Sequence, residues 1–225
     1  MHAPPHNSAI RAILFDLDGT LIEPEWEFFL SEATRLFQKM GFPPPSAEEM
    51  QRSHARGSLF EVFPHERRDE LMLAFWQDYR GEHYPHPRPL DGAVRILSEL
   101  HGLGYRMGIV TARDDSPERL RVLLEPTGLL PFLDPILSHG AAAPSTKDKI
   151  GIIQSALRHY QLQPNDVMII GDSPVDILSG KQCELRLTVA VLSGGFEFEC
   201  LEQHNPDCIL GDISELPALL RTMQR

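Results

Sequence analysis

Cysteine is scarce in this chain: Cys183, Cys200 and Cys208 are the only three among 225 residues. An odd number without metal-ligand spacing excludes a disulfide framework and points to reduced thiols in a cytoplasmic protein. Long apolar runs are absent too. None approaches the roughly 20 residues of a membrane helix, so no membrane partner is expected. Positive charge is in short supply, with 21 Lys and Arg against 32 Asp and Glu and a net charge of −11. A chain this acidic is not built to coat nucleic acid or an anionic surface, and an anionic substrate requires cations concentrated at its site. The opening "MHAPPHNSA" lacks the charged and apolar segments of a secretory signal and reads as a loose tail over residues 1–10. Ten histidines are present, but none has zinc-site spacing, so they read as solvated or structural. There is no internal repeat. What remains is ordinary globular composition, 42% hydrophobic and 24% charged, long enough for one core plus a small second domain.

Two patterns divide the chain. Ile13–Phe15 is a short apolar run ending at a glycine turn, which predicts a buried strand. From Glu25 to Met40, Trp26, Phe29, Leu30, Ala33, Leu36, Phe37 and Met40 recur at helical spacing, the signature of a stripe packed between helices. Gly41 and the prolines Pro43–Pro45 stop that helix. Further helices are predicted at Ala47–His54 and His65–Tyr79, with Arg56-Gly57-Ser58 either a substrate-closing loop or an ordinary helix-terminal turn. "YPHPRPLDG" (Tyr84–Gly92) reads as a linker. Beyond it strands and helices alternate. Asp91 is positioned to cap a helix to Leu103. Strands are expected at "YRMGIV" ending at Thr111, at "PIL" (135–137), at "VMII" (167–170), at "LTVAVL" (187–192) and near Cys208–Leu210. Such alternation predicts an α/β fold, a parallel sheet covered on both faces. The assignment is core at 11–21 and 90–225, with a small all-helical cap at 22–89 inserted after the first strand.

In such sheets ligands bind beyond the carboxyl ends of the strands. Asp16 and Asp18, then Thr111, then Gly171-Asp172 fall at those ends. An Asp-x-Asp-Gly alone is equally a plain turn. With the other strand ends it becomes a site. Paired carboxylates repel, and a hard divalent cation such as Mg²⁺ relieves the repulsion while gripping a phosphate. Asp172 and Asp176 can complete its ligands. Asp16 can attack phosphorus through a free oxygen, and Asp18 can serve as general acid, then base. Thr111 and the following backbone at Ala112 can hold phosphoryl oxygens. A lysine is needed for charge balance, and Lys147 is preferred over Lys149. Arg113 either reaches substrate or is a solvated loop arginine.

"DLDGT" (Asp16–Thr20), "GIVTAR" (Gly108–Arg113), Lys147 and "GDSPVD" (Gly171–Asp176) resemble, in order and spacing, the four motifs of the haloacid dehalogenase superfamily. The resemblance runs from about Ile13 to Ser193 and is nearest to phosphoglycolate phosphatase-like and β-phosphoglucomutase-like members. It implies a Rossmann-like doubly wound core with the first motif's strand central, Asp16 as nucleophile and Mg²⁺ ligand, Asp18 as acid/base and a metal ligand through its backbone carbonyl, and Thr111 as phosphate binder. It implies Asp172 as metal ligand, with Asp176 supporting it. A carboxylate at Asp18 separates phosphatases and mutases from the dehalogenases of the superfamily. The expected function is a Mg²⁺-dependent phosphatase acting on a small phosphorylated metabolite, as a monomer or homodimer. The alternatives are a phosphomutase and a non-catalytic binding module on the same fold.

Overall fold

The computed structural model describes residues 10–78, 86–140 and 148–223. Most of the predicted tail, the end of the third predicted helix with the start of the linker, and Lys147 lie outside these residues. Six parallel strands form one sheet: β1 (Ala12–Phe15), β2 (Arg106–Thr111), β3 (Ile136–Ser138), β4 (Val167–Gly171), β5 (Leu187–Val191) and β6 (Cys208–Leu210). Their spatial order is β3-β2-β1-β4-β5-β6. β1 is central because all four of its residues are apolar and fully buried, which only a strand covered on both faces requires.

Alternate residues of β1 go to opposite faces, as the pleat demands. Ile13 and Phe15 join Met107, Ile109, Met168 and Ile170 beneath α4 (Ala93–Gly102), α5 (Pro117–Leu124) and α9 (Leu216–Met223). Ala12 and Leu14 join Val110, Val167 and Ile169 under α6 (Ile150–Tyr160). The second face is completed by α7 (Pro174–Gln182) and α8 (Phe198–Glu202), packed through Ile177, Ala190 and Leu201. Ile10, assigned to the tail, is instead half-buried against the first of these clusters.

Asp91 is not the cap of α4. The residue before the helix is Gly92, at φ +77°, with no side-chain cap bond. Ala93 N–H donates to the Leu90 carbonyl at 2.9 Å, so the chain enters α4 through a tight turn that glycine accommodates. Ser116, by contrast, caps α5 as its position before Pro117 suggests, accepting from Arg119 N–H at 3.2 Å.

Between β1 and α4 lie α1 (Trp26–Lys39), α2 (Ala47–Ala55) and α3 (Arg68–Asp78), with short 3₁₀ turns between α2 and α3. Phe29, Ala33, Leu36 and Phe37 of α1 bury against Met50, Phe63, Leu71 and Phe75, giving these helices a hydrophobic cluster of their own. Ser46 starts α2 with a reciprocal capping box to Glu49. The outgoing and returning chain are paired at a neck. Glu23 N–H donates to the Arg88 carbonyl at 2.8 Å, Leu90 N–H to the Leu21 carbonyl at 2.9 Å, and Ile22 bridges Pro89.

Candidate active site

The strand order reverses at β1: β2 and β3 lie to one side, β4 to β6 to the other. The crevice above the carboxyl ends of β1 and β4 is therefore the topological switch point where α/β sheets bind ligands. Asp16 follows the last residue of β1, its N–H held by the Ile170 carbonyl at 2.9 Å. Asp172 follows β4, and Asp176 lies in the first turn of α7. Asp16 and Asp172 are each 7% exposed and Asp176 is fully buried. One carboxylate oxygen from each lies within 4.8 Å of the other two.

Among the described residues, the lysine that reaches this cluster is Lys149. Its Nζ donates to Asp16 Oδ1 at 2.5 Å and to Asp176 Oδ1 at 2.6 Å. Lys147, the expected lysine, lies outside the described residues. Helix α6 starts at Ile150, so the residue at its N-terminal boundary is Lys149, whose own N–H is fixed by Ser179 Oγ at 2.9 Å. Burial works against the ammonium, but Asp16 and Asp176 together outweigh it and hold its pKa above the ordinary lysine value.

The carboxylates differ in what they leave open. Asp176 Oδ1 takes Lys149, and Oδ2 accepts from Ser173 N–H at 3.1 Å and Ser173 Oγ at 2.6 Å. Both its oxygens are engaged, which suits an anchor for Lys149. Asp16 is pushed up to about 6, chiefly by burial, with Lys149 pulling down and Asp176 and Asp18 pushing further up. Asp172 is raised well above the carboxylate range by burial and by Asp16 and Asp176. Three carboxylates against one ammonium leave a formal charge of −2, which a divalent cation cancels. The donors are all hard oxygens, so the residues fit Mg²⁺.

Thr111 and Arg113 lie at and just beyond the carboxyl end of β2, the strand paired with β1. Thr111 ends β2, 2% exposed, and its Oγ1 accepts from Arg113 N–H at 3.3 Å. Ala112 lies between them. Arg113 is no solvated loop arginine. Its Nε donates to Asp18 Oδ2 at 2.7 Å and its Nη2 to Asp18 Oδ1 at 2.6 Å.

The segment after β5 has a part that its sequence signalled only as a Gly-Gly pair. Ser193 Oγ donates to the Gly19 carbonyl at 2.5 Å. A Cβ on Gly194 would lie 1.7 Å from Asp172 Oδ2, and a Cβ on Gly19, at φ +74°, would lie 2.6 Å from Gly194 Cα. Neither position has room for a side chain. Gly194→Ala is expected to displace the Asp172 carboxylate and weaken the affinity of the carboxylate cluster for a divalent cation about tenfold or more, measured by calorimetric titration of the folded protein with Mg²⁺. An unchanged affinity would show that Asp172 has slack.

The helical layer touches this segment directly. His54 Nε2 lies 3.0 Å from the Gly194 carbonyl, and the ring packs between Trp26 and Phe196 at centroid distances of 4.5 and 4.2 Å. Glu197 N–H donates to the Ala55 carbonyl at 2.8 Å. Burial lowers the pKa of His54, so the neutral ring is favoured. His54 is one of the ten histidines without metal-site spacing, which read as solvated or structural from the sequence. Arg56-Gly57-Ser58 proves to be a helix-terminal turn, with Gly57 at φ +72° and its N–H on the His54 carbonyl at 2.8 Å. A surface depression of about 530 Å³, lined by Tyr105, Leu133 and Tyr160, lies at the opposite edge of the sheet, at the amino ends of β2 and β3.

Comparison with known proteins agrees with this geometry. Residues 13–190 match the family described as haloacid dehalogenase-like hydrolase. The pyrophosphatase PpaX of Listeria monocytogenes is 30% identical over 217 residues, 94% of this chain and 97% of that protein. A phosphoglycolate phosphatase of Thiobacillus denitrificans is 29% identical over 177 residues, 73% of this chain and 75% of that protein. A haloacid dehalogenase-like hydrolase from Streptococcus pneumoniae shares the fold with a TM-score of 0.74 at 24% identity, covering 93% of this chain and 98% of that one. With its carboxylates and lysine gathered at the switch point of the sheet, the chain belongs to the haloacid dehalogenase-like hydrolases.

Proposed function

We propose that the protein is a Mg²⁺-dependent phosphatase that hydrolyses a small phosphorylated metabolite through an aspartyl-phosphate on Asp16. The observation that carries this reading is the Lys149 ammonium on one oxygen of Asp16, inside a buried carboxylate cluster that carries a formal charge of −2. Asp16 and Asp172, with the Asp18 backbone carbonyl that the family resemblance implies, would hold the metal, which neutralises phosphoryl charge when bound. Asp176, expected among the metal ligands, instead holds Lys149, because both its oxygens are already engaged.

In the first half-reaction an Asp16 oxygen attacks phosphorus and the bond to the leaving oxygen breaks. Asp18 passes its proton to that oxygen. In the second, Asp18 takes a proton from water, the water oxygen attacks phosphorus, and the acyl-phosphate bond breaks to release phosphate and restore Asp16. The Thr111 hydroxyl and the backbone at Ala112 bind phosphoryl oxygens, and Lys149 stabilises charge that develops there. The helices α1–α3 act as a cap that limits water and the size of the substrate.

The test is a panel of phosphorylated metabolites, inorganic pyrophosphate included, screened for phosphate release with Mg²⁺ and with EDTA. Release that EDTA abolishes is expected. Isomerisation of a hexose phosphate without net phosphate release would move the assignment to a mutase.

A pH dependence follows as well. Asp16 holds its proton to about pH 6 in the folded, metal-free protein, and Asp172 also holds its proton above the ordinary range. The folded state thus binds more protons than the unfolded chain between about pH 4 and 6, and metal-free stability falls as pH rises through that window. Mg²⁺ must displace those protons, so its affinity rises with pH, by about tenfold per unit for each proton displaced. The melting-temperature gap between Mg²⁺ and EDTA is expected to widen from pH 5 to pH 7. A constant gap would mean that the metal does not compete for these carboxylates.

A further inference from the structure

Arg113 lies two residues beyond β2 on a backbone pinned from two sides, its N–H on Thr111 Oγ1 at 3.3 Å and its carbonyl on His139 N–H at 3.1 Å. Only 11% of its side chain is exposed. The guanidinium makes a two-pronged fork on Asp18, at 2.7 and 2.6 Å, and its Nη1 lies 3.7 Å from Asp115 Oδ2. Asp115 is itself steadied by Arg119 Nε at 2.9 Å. The fork engages both oxygens of Asp18. While it stands, neither oxygen is open to the leaving group that Asp18 serves in the proposed reaction. A planar guanidinium gives up such a partner most readily to another anion of matching geometry, a carboxylate or a phosphate. Asp115 keeps the arginine in place when Asp18 lets go. Lys149 is the other buried cation among the described residues at the site, and Asp16 and Asp176 already claim it.

We infer that Arg113 sets specificity: it exchanges Asp18 for a negatively charged group on the leaving portion of the substrate, a carboxylate or a second phosphoryl group. Only when such a group arrives is Asp18 released; it then takes a proton from solvent and passes that proton to the leaving oxygen. This inference rests on the phosphatase reading and narrows it to esters and anhydrides whose leaving group is itself an anion.

The experiment compares 2-phosphoglycolate with 2-hydroxyethyl phosphate, which are alike in size and differ in the carboxylate, on the full chain loaded with Mg²⁺. The native protein is expected to favour the carboxylate ester about ten- to hundredfold in kcat/KM, the range of a charge-assisted pair. In Arg113→Gln the ratio collapses towards one. Arg113→Lys, a point charge without the fork, recovers part of it. Equal use of both esters by the native protein, or an unchanged ratio in Arg113→Gln, overturns the inference and leaves the phosphatase reading standing. Failure to hydrolyse any ester, with no beryllofluoride adduct on Asp16, overturns both.

Discussion

Asp16→Asn is expected to lower kcat/KM for phosphate release by at least about 10⁴-fold, because an amide oxygen is a poor nucleophile and nothing else beside it replaces the covalent step. The native protein, quenched in acid during turnover, should carry the mass of one phosphoryl group on the peptide containing Asp16. The variant should carry none. The fold is expected to survive. Asp16 is held up to about 6 by burial and by its carboxylate neighbours, so its charge at neutral pH works against the metal-free folded state. Replacing it by a neutral isostere relieves that repulsion while removing one of the two partners of Lys149. Metal-free thermal stability should therefore stay level or rise, and the stabilisation by Mg²⁺ should shrink. Activity within tenfold of the native protein would rule out Asp16 as the nucleophile.

Lys149→Met carries the second large effect, and it acts on stability and on turnover together. Removing the ammonium leaves buried carboxylates without their partner, a change that costs about 3–5 kcal/mol when one side of a buried pair is deleted. Turnover should fall about 10²- to 10³-fold, the range for loss of one charge-stabilising group at a transition state. Mg²⁺ should nonetheless bind more tightly, because the formal charge around it becomes more negative by one. Tighter metal binding with slower turnover separates this variant from simple unfolding. Urea melts, calorimetric Mg²⁺ titration and phosphate release read the three effects. Lys147→Ala serves as the comparison and is expected to stay within about threefold of native activity. A larger loss in Lys147→Ala than in Lys149→Met would return the assignment to Lys147.

The parts legible in the sequence share a physical cause. The strands carrying Asp16, Thr111 and Asp172 are continuous apolar runs, and such runs are forced into the middle of a sheet covered on both sides. Their last residues then have one place to be, the carboxyl edge. The α1 stripe was equally clear, because helical spacing of large apolar residues admits one buried face. The choice of lysine was not legible. Lys147 and Lys149 have almost the same distance in sequence from Asp172, and nothing in that spacing shows that the Lys149 N–H is held by Ser179 or that its Nζ reaches Asp16 and Asp176. The roles of Gly194 and His54 were hidden for another reason. His54 meets a segment 140 residues away, and Gly194 is pressed between Asp172 and Gly19; a glycine or a histidine looks the same in sequence whether or not something presses against it. The Arg113–Asp18 fork spans 95 residues and was hidden in the same way.

The neck at Leu21–Glu23 and Arg88–Leu90 has a consequence in polymer terms. The chain leaves and rejoins the sheet at two points one hydrogen bond apart, 2.9 Å from Leu90 N to the Leu21 carbonyl. Everything between them is a closed loop as seen by the sheet. Loop closure grows only with the logarithm of length, so this loop costs about 2.5 kcal/mol more to close than a four-residue turn would. The helices offset that through a cluster of their own. The sheet is therefore nearly indifferent to what is threaded through the neck. Segments of different length and shape can be exchanged there while Asp16, Asp18 and Asp172 keep their positions, and one hydrolytic centre can be refitted to new substrates by a change of insert.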